Sequence, residues 1–589
     1  MQIYQTKKET FRNELSEINT KYNTIGFLRL LTIVGLIAGI YYTVQTGNNY
    51  YLLGSGGCFL AFIVLMRIHN KLSIRKKIKT ALLEINTDEM AFLNKEKIPF
   101  GNGIEFEDLS HPYAYDLDLF GNHSLYQNIN RTETYSGSSK LAELLLKTIP
   151  ADEIVHNQEA IRELASKIDF RQDLGALGKV YKDSKSLHTA LVNWSRMPNK
   201  PLSRLINVIS YVTPVLLVAF LVAYFTTDNP LYVEFVIYIF LFNTTLLFSQ
   251  YKSIQHENAS ADQVDKTIFQ YARIIEKIED QNFQATKLKA LQQQLAQENQ
   301  NASRDMNELG ELFSRMDSIA NLVSTMLFNG TFLFHIHTLR YLQQWRAKKA
   351  KNIPLWLDVI GEMETLSSLA NLSYNNPEFA FPVLNNEYVV EFSDLSHPLL
   401  NKATRVGNTV VFDPKFMILT GSNMSGKSTF LRSLGINMVL AGIGSPVCAT
   451  AANVHPLPVL VSMRLSDSLS DSESYFFAEI KRLKLIMDKL EEQVSFVLLD
   501  EILRGTNSDD KRSGTIGVVQ KMMAKKAIGA IATHDIEVCE TTHQYPEQLT
   551  NQCFEVQIVD NELFFDYTLR AGICKNKSAT FLMNKMGIV

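Results

Sequence analysis

Residues 421–429 read GSNMSGKST and fit the pattern G-x-x-x-x-G-K-[ST] of a phosphate-binding loop. The apolar run 416–419 precedes the loop and suits a buried strand, and a segment suited to a helix follows it. In that context backbone N–H groups and the helix N-terminus face bound phosphates. Lys427 is expected to reach the β- and γ-phosphates of a nucleotide, and Ser428 to place its hydroxyl on Mg²⁺. The predicted cradle is Gly421, Ser422, Asn423, Met424, Ser425, Gly426, Lys427, Ser428 and Thr429.

Acidic and basic side chains follow two further apolar runs. The sequence FVLLDE (496–501) describes a buried strand ending in Asp500 and Glu501. Asp500 is predicted to hold Mg²⁺, and Glu501 to orient or deprotonate the attacking water. The run 528–533 leads into His534, which is predicted to sense the γ-phosphate. A core strand with a solvated acidic end and a structural histidine are the plainer alternatives. The three motifs together favour an ATPase that uses ATP and Mg²⁺.

Between these motifs lies LSDSESYFFAEI (469–480), a polar stretch that turns into a helix at Ser474. With GSNMSGKST, DEILRGTNS (500–508) and ATHD (532–535), the chain resembles the MutS family of DNA mismatch-repair ATPases. The resemblance implies an α/β P-loop ATPase domain over 376–589. It also implies that Ser474 contacts ATP across a dimer interface. A homodimer joined through its ATPase domains would therefore form composite sites.

Three residues depart from the usual family pattern. Ser422 stands where many members have Pro, and Ser425 where many have Gly. Both substitutions are compatible with a phosphate-binding loop. Leu503 stands where many members have Gly, in the turn after the catalytic acid. We expect this third departure to affect coupling between the two sites.

The resemblance extends upstream into an all-α region. The segments 123–146, 150–164 and 356–374 are similar to the family's core and lever, which predicts a helical core and lever domain over 100–375. About 100 residues precede this region, too few for the mismatch-reading and connector domains, so we expect both to be missing. The only Phe-x-Glu, at 477–479, falls inside the ATPase signature helix and is not the family's mismatch wedge.

Four apolar runs predict two transmembrane helical hairpins. The runs 30–45 and 50–66 belong to an N-terminal hairpin within 1–80, and the runs 205–227 and 235–251 form a second hairpin at 205–251. A membrane helix needs roughly 17–25 apolar residues. Lysines and arginines flank both hairpins, whereas the connecting turns carry none. By the positive-inside rule, both hairpins enter from the cytoplasm and return to it. Buried core helices are the alternative.

The charge pattern predicts a multi-pass protein of the cell (inner) membrane, with four helices in the lipid bilayer and a cytoplasmic ATPase domain. In the family, the second hairpin's place is roughly that of the DNA-gripping clamp. The polar, histidine-containing run 318–339 is predicted to be a buried core helix. The segment 258–300 is predicted to be an amphipathic helix of about 65 Å.

The net charge, the cysteines and a short repeat do not point to a particular function. The net charge is −3, so bulk basicity does not point to nucleic acid, and the five cysteines lack metal-like spacing. The sequence EDLSHP (107–112) is echoed by SDLSHP (393–398), but no catalytic role is predicted for His111 or His397.

The sequence is compatible with two functions. In the first, the protein is a membrane-anchored MutS-like ATPase whose lever movement serves DNA binding or processing related to mismatch repair. In the second, it is a mechanochemical membrane ATPase that does not bind DNA and acts on a protein or membrane partner.

Overall fold

The computed structural model describes residues 1–261, 264–296, 301–317, 322–413, 415–422, 424–464, 475–559 and 562–574, with Met583 and Ile588. Within these residues a helical region extends to Asn375, and an α/β region follows. This order confirms the predicted fold class at the level of a helical N-terminal region and a C-terminal α/β domain.

The chain begins with a long antiparallel hairpin of two helices, α1 (Gln2–Thr46) and α2 (Tyr50–Leu93). At 1.5 Å per residue each helix is about 65 Å long. The chain reverses at Gly47, whose φ of 67° lies in the left-handed region that favours glycine. The apolar stretches beside this turn are long enough to cross a membrane and are almost entirely unburied. At the other end of the hairpin, Tyr4 is buried in the helical core and its hydroxyl donates to Asn375.

The helical core surrounds α15 (Ile353–Asn375), which is buried along most of its length. This helix packs against α4, α5 and α11. The other helices of the core are α3 (Leu125–Ile129), α4 (Tyr135–Leu145), α5 (Ala151–Ser166), α6 (Ile168–Lys179), α7 (Lys185–Arg196), α10 (Val264–Glu279), α11 (Thr286–Leu295), α12 (Ala302–Asp317) and α14 (Phe334–Lys349). Short 3₁₀ helices lie at Ile104–Phe106 and Ala350–Asn352.

A second apolar hairpin projects from this core. It consists of α8 (Arg204–Thr227) and α9 (Leu231–Ala261), joined by a turn in which Asp228 has a φ of 54°. The rings of Phe220 and Phe235 stack near the turn with centroids 5.0 Å apart. Both helices are long and apolar enough to cross a membrane, and little of either apolar stretch is buried.

The prediction of one long helix over 258–300 is wrong. Helix α9 continues to Ala261, α10 ends at Glu279, and α11 begins only at Thr286. The chain turns back because Gln292 on α11 donates to the carbonyl oxygens of Ile278, Glu279 and Gln281. One amide side chain thus satisfies carbonyls at the end of α10, which periodicity alone does not reveal.

The prediction of one buried helix over 318–339 is also wrong. Residues 318–321 lie outside the described part, and the rest forms α13 (Leu322–Phe332) and α14, separated at Leu333 with a φ of 51°. Helix α14 is largely buried. Helix α13 instead lies against α8 and α9 and exposes apolar side chains, and Asn243 donates to the carbonyl of Gly330 at 2.9 Å. Its exposed residues include Met326, Leu327, Phe328 and Phe332.

The α/β region contains two sheets. The larger has the strand order β10-β9-β4-β8-β7-β6, in which only β10 is antiparallel to its neighbour. Its strands are β4 (Phe416–Gly421), β6 (Val459–Ser462), β7 (Phe496–Asp500), β8 (Ile528–Ala532), β9 (Leu549–Val559) and β10 (Glu562–Ala571). The smaller sheet has the order β1-β5-β2-β3, from β1 (Val383–Leu384), β2 (Val390–Leu395), β3 (Asn408–Phe412) and β5 (Ala451–Val454).

Helices α16 (Lys427–Ala441), α17 (Tyr475–Glu492), α18 (Ser508–Ala524) and α19 (Ile536–Gln544) complete this region. Since β4, β8 and β7 are adjacent and parallel, their carboxyl ends meet at one edge of the sheet. Ligands of open α/β sheets bind at this kind of edge. The helical core contacts the α/β region just after the end of α16, where Asn157 on α5 donates to the carbonyl of Ile443 at 2.9 Å.

Candidate nucleotide site

The phosphate-binding loop connects β4 to α16. Gly426 caps the helix with a φ of 102°, a conformation that strains other residues, and a Cβ here would lie 3.1 Å from the ring of Tyr567. Lys427 is buried, and its Nζ donates to the carbonyl oxygens of Gly421 at 2.8 Å and Ser422 at 3.2 Å. Burial lowers the pKa of Lys427.

The hydroxyl of Ser428 donates to Oδ2 of Asp500 at 2.6 Å. The other carboxylate oxygen, Oδ1, is buried and has no hydrogen-bond partner among the described residues. An orphaned buried carboxylate oxygen beside a hydroxyl oxygen is a suitable donor set for Mg²⁺, which prefers hard oxygen ligands. The residues present therefore fit the metal that the motif implies.

Glu501 and His534 meet at the ends of β7 and β8. Oε1 of Glu501 lies 2.6 Å from Nε2 of His534, which in turn lies 3.2 Å from Nζ of Lys427. The hydrogen bond with His534 lowers the pKa of Glu501 to about 2, and the charges of His534, Arg504 and Lys427 act in the same direction. Glu501 is therefore a carboxylate at neutral pH and can accept a proton.

The structure thus brings together Lys427, Ser428, Asp500, Glu501 and His534, which the sequence places in three separate segments. Two other predicted site residues, Asn423 and Ser474, lie outside the described residues.

A cavity of about 530 Å³ lies beside the loop, within the size range of small-ligand sites. Residues of the loop line this cavity, among them the exposed Met424 and Thr429. The lining also contains side chains for which the sequence predicted no place in the site. Burial, with the nearby charge of Arg432, lowers the pKa of His397 to about 4, so this imidazole is neutral at pH 7. The repeated SDLSHP motif was the only signal for His397. The unpredicted lining includes His397, Arg405, Phe430, Phe554 and Tyr567.

The turn after β7 is unusual. Glu501 and Leu503 have φ values of 47° and 62°, in the left-handed region. A glycine adopts this conformation without a steric penalty, which gives a physical reason for the glycine that many members of the family have at the position of Leu503. The leucine side chain is nevertheless buried, 6% exposed, and packs close to Gly514.

Comparisons with known proteins place this site in a family. Residues 417–587 match the family model for MutS domain V. MutS protein homolog 4 of Homo sapiens is 31% identical over 219 residues, covering 34% of this chain and 23% of that protein. The DNA mismatch repair protein MutS of Thermotoga sp. (strain RQ2) is 31% identical over 234 residues, covering 38% of this chain and 29% of that protein.

A DNA mismatch repair protein MutS from Flavobacterium psychrophilum (strain ATCC 49511 / DSM 21280 / CIP 103535 / JIP02/86) is 28% identical over 242 residues, 39% of this chain and 28% of that protein. The matched part of the chain spans less than a third of the length of these relatives. The match to the family model, over residues 417–587, contains the phosphate-binding loop with Lys427 and the strand ends that carry Asp500, Glu501 and His534. Over residues 417–587 the chain thus carries a domain of the MutS family.

Proposed function

We propose that this protein binds ATP with Mg²⁺ and hydrolyses it to ADP and phosphate. The observation that carries the proposal is the convergence of Lys427, the Ser428–Asp500 pair and the Glu501–His534 pair at adjacent strand ends. MutS family proteins are ATPases, and this convergence lies within the domain that matches them.

Each residue has a defined task in this proposal. Lys427 and the N–H groups of 421–429 bind the phosphates, so Nζ of Lys427 exchanges its carbonyl partners for phosphate oxygens. Ser428 and Asp500 hold Mg²⁺, which when bound neutralises charge on the phosphates. Glu501 orients the attacking water and accepts its proton, and His534 holds Glu501 and senses the terminal phosphate.

The purine has a suitable place in the cavity beside the loop. Tyr567, whose side chain is exposed, is part of its lining, and stacking on an aromatic ring is worth about 1–3 kcal/mol per base. We assign the nucleoside part of ATP to this cavity.

We also propose that the protein is a homodimer with composite sites, in which Ser474 of one subunit contacts the ATP bound by its partner. The family resemblance of 469–480 supports this proposal. Binding and hydrolysis at the two sites would move the helical core, because α15 leads into β1 and α5 contacts the α/β region at Ile443.

A third part of the proposal is anchoring in the cell (inner) membrane, with the ATPase domain in the cytoplasm. Four helices are long and apolar enough to span a bilayer. Their exposed apolar surfaces include Tyr50 at 79%, Phe225 at 75% and Leu205 at 70% exposure. Soluble proteins rarely leave such continuous apolar surface uncovered. Helix α13 continues the apolar surface of α8 and α9, so we assign it to the inner side of the bilayer.

The partner is either DNA or a membrane or protein. DNA is favoured by the relatives from Thermotoga and Flavobacterium, which are named DNA mismatch repair proteins. A membrane or protein partner is favoured by the second hairpin, whose 52 residues over 204–255 contain four charged side chains, Arg204, Asp228, Glu234 and Lys252. Gripping a duplex depends on lysines and arginines that neutralise phosphates, and this hairpin supplies only two.

The test is the ATPase rate of the purified full chain in detergent or vesicles, with and without duplex DNA, at two salt concentrations. Hydrolysis that requires Mg²⁺ is expected, and a preparation without hydrolysis would contradict the enzyme proposal. Stimulation by DNA that weakens at high salt would identify a DNA-processing enzyme. An unchanged rate with every DNA structure would identify a membrane ATPase that does not use DNA.

A further inference from the structure

The turn that carries Glu501 is held by a residue from a different element. Glu479 lies on α17 and is buried, 3% exposed. Its Oε1 accepts the N–H of Leu503 at 2.6 Å, and its Oε2 accepts the N–H of Arg504 at 3.1 Å. Both oxygens of one carboxylate are thus used to fix two consecutive peptide groups directly after the proposed catalytic acid.

This turn needs such support, because left-handed φ values at Glu501 and Leu503 are unfavourable for residues with side chains. The guanidinium of Arg504 returns to the same turn and donates to the carbonyl oxygens of Glu501 at 2.8 Å and Asp500 at 3.1 Å. Phe476, also on α17, packs against Gly505, where an added Cβ would lie 2.9 Å from the Cβ of Phe476. The position of α17 therefore determines the path of the chain from Asp500 to Gly505.

We propose that Glu479 is a positioning residue, which couples the placement of α17 to the orientation of Glu501 in the same subunit. This inference rests on the proposed ATPase function. Helix α17 begins at Tyr475, directly after Ser474, the residue assigned to the partner's ATP. Under the proposed dimer, one helix would connect the contact to the partner's nucleotide with the catalytic acid of its own site. Each site can in this way respond to whether the other is filled.

The first test is Glu479→Gln. Glutamine keeps the size but presents an NH₂ group to one of the two backbone N–H donors, so the turn loses a hydrogen bond. We expect kcat for ATP hydrolysis to fall about 10- to 100-fold, since small misplacements of a catalytic group have effects of this size. KM for ATP and equilibrium binding of a fluorescent ATP analogue should change less than about 2-fold, because the phosphate-binding loop is untouched.

The matched control is Glu492→Gln, which removes the same charge from the exposed end of α17 and should leave kcat unchanged. If Glu479→Gln does not give folded protein, Glu479→Asp replaces it, because it keeps the carboxylate but shortens its reach. A wild-type kcat in the folded variant would overturn the inference.

A second test distinguishes action within one subunit from action on the partner. Glu479→Gln subunits are paired with Lys427→Ala subunits through two affinity tags, so that only the Glu479→Gln subunit binds ATP. We expect this heterodimer to be as slow as the Glu479→Gln homodimer. A rate equal to that of the wild-type and Lys427→Ala pair would show that the defect acts on the partner's site, against the inference.

Measuring Glu501→Gln in parallel distinguishes a failure of the proposed catalytic acid from a failure of the role of Glu479. If Glu501→Gln hydrolyses ATP at the wild-type rate, the proposed catalytic acid is wrong. If Glu501→Gln is inactive while Glu479→Gln is normal, only the role of Glu479 fails.

Discussion

At the scale of single residues, the depressed pKa of Glu501 has a direct consequence. The carboxylate stays ionised through the physiological range, because His534, Arg504 and Lys427 stabilise its charge. Glu501→Gln removes the proton acceptor but leaves the phosphate cradle intact. We therefore expect normal ATP binding and hydrolysis slowed by about 10²- to 10⁴-fold, measured by equilibrium binding and single-turnover kinetics.

Lys427→Ala is the contrasting variant, because it removes the buried ammonium that faces the loop carbonyls. It should weaken ATP binding itself, so that its site stays empty at ATP concentrations that saturate the wild type. Equal hydrolysis by Glu501→Gln and the wild type would show that another group accepts the proton.

Leu503 permits a second test at this scale. An ordinary buried leucine loses more stability when changed to glycine than to alanine, since glycine is smaller and more flexible. At Leu503 the order should reverse, because glycine relieves a left-handed backbone that costs an alanine about 1–2 kcal/mol. Thermal or denaturant unfolding of Leu503→Ala and Leu503→Gly would measure this difference.

The control pair is Leu499→Ala and Leu499→Gly, at a fully buried position of β7. Its φ is not among the positive values, so the usual order should hold there. The usual order at Leu503 as well would mean that the turn is not strained in the folded protein.

The residues nearest to the chemistry were predictable from sequence because their motifs are local. Lys427 and Ser428 lie within one nine-residue loop, and Asp500 and Glu501 end one apolar run. Glu479 was not predicted, because its role depends on a contact across 24 residues with backbone groups that any sequence possesses. Tyr567 and Phe554 reach the cavity from β10 and β9, and neither residue carries a local signal for this.

At the scale of elements, one buried carboxylate joins α15 to the start of α4. Glu364 accepts hydrogen bonds from the N–H of Glu133 at 3.2 Å and from the hydroxyl of Thr134 at 2.6 Å. Thr134 in turn caps α4, since its hydroxyl accepts the N–H of Gly137. Burial raises the pKa of Glu364 to about 7.

This raised pKa predicts a pH-dependent stability. The folded protein binds a proton at Glu364 up to about pH 7, whereas the unfolded chain releases it near its ordinary value of 4.5. The proton on Glu364 therefore contributes fully to the free energy of unfolding below pH 4.5. This contribution, at most about 3 kcal/mol, is lost as pH rises through 7. Unfolding measured at pH 5 and pH 8 should show this fall in the wild type and a smaller fall in Glu364→Gln.

Glu362→Gln is the control on the same helix, because Glu362 pairs at the surface with Lys287 and Lys140. It should keep the wild-type pH dependence. If the free energy of unfolding of Glu364→Gln falls between pH 5 and pH 8 as much as that of the wild type, another group titrates.

The elements themselves were predicted unevenly. Apolar runs beside turns without lysine or arginine predicted both helical hairpins, since this pattern needs no knowledge of distant contacts. The break between α10 and α11 involves hydrogen bonds from Gln292, and the break before α14 lies at Leu333, whose φ is positive. The apolar periodicity continues across both breaks, so the sequence predicted continuous helices there. Helix α13 packs against α8 and α9 and not inside the core, and the sequence of α13 alone does not indicate this neighbour.

At the scale of the whole molecule, the proposed dimer predicts complementation. Ser474→Arg should block the contact to the partner's ATP, and Lys427→Ala should prevent ATP binding in its own subunit. In a mixed dimer, the wild-type loop of the Ser474→Arg subunit faces the wild-type Ser474 of the other, so one complete site remains. ATPase assays of isolated heterodimers should recover activity that both homodimers lack. Heterodimers without activity would contradict sites built from two subunits.

The topology of the whole chain follows from the two hairpins. In lipid, a helix is favoured because every backbone N–H and C=O is bonded within it. By the positive-inside rule, we expect the basic residues that follow the second apolar run to lie in the cytoplasm, among them Lys71, Arg75, Lys76 and Lys77. Only the turns near Asn48 and Asn229 should then face the outside, with the ATPase domain on the side where ATP is found.

Introduced cysteines test this arrangement in intact cells, in a background without Cys58 and the half-buried Cys574. Cysteines at the exposed positions Asn48 and Asn229 should react with a membrane-impermeant thiol reagent. Cysteines at Ser73 and Ser253, near the basic ends of the hairpins, should react only after the cells are opened. Labelling of Ser73→Cys in intact cells would contradict the predicted orientation. Recovery of the whole chain in the soluble fraction would remove the bilayer from the proposal, because the exposed apolar faces of α1, α2, α8 and α9 would then need a protein partner to cover them.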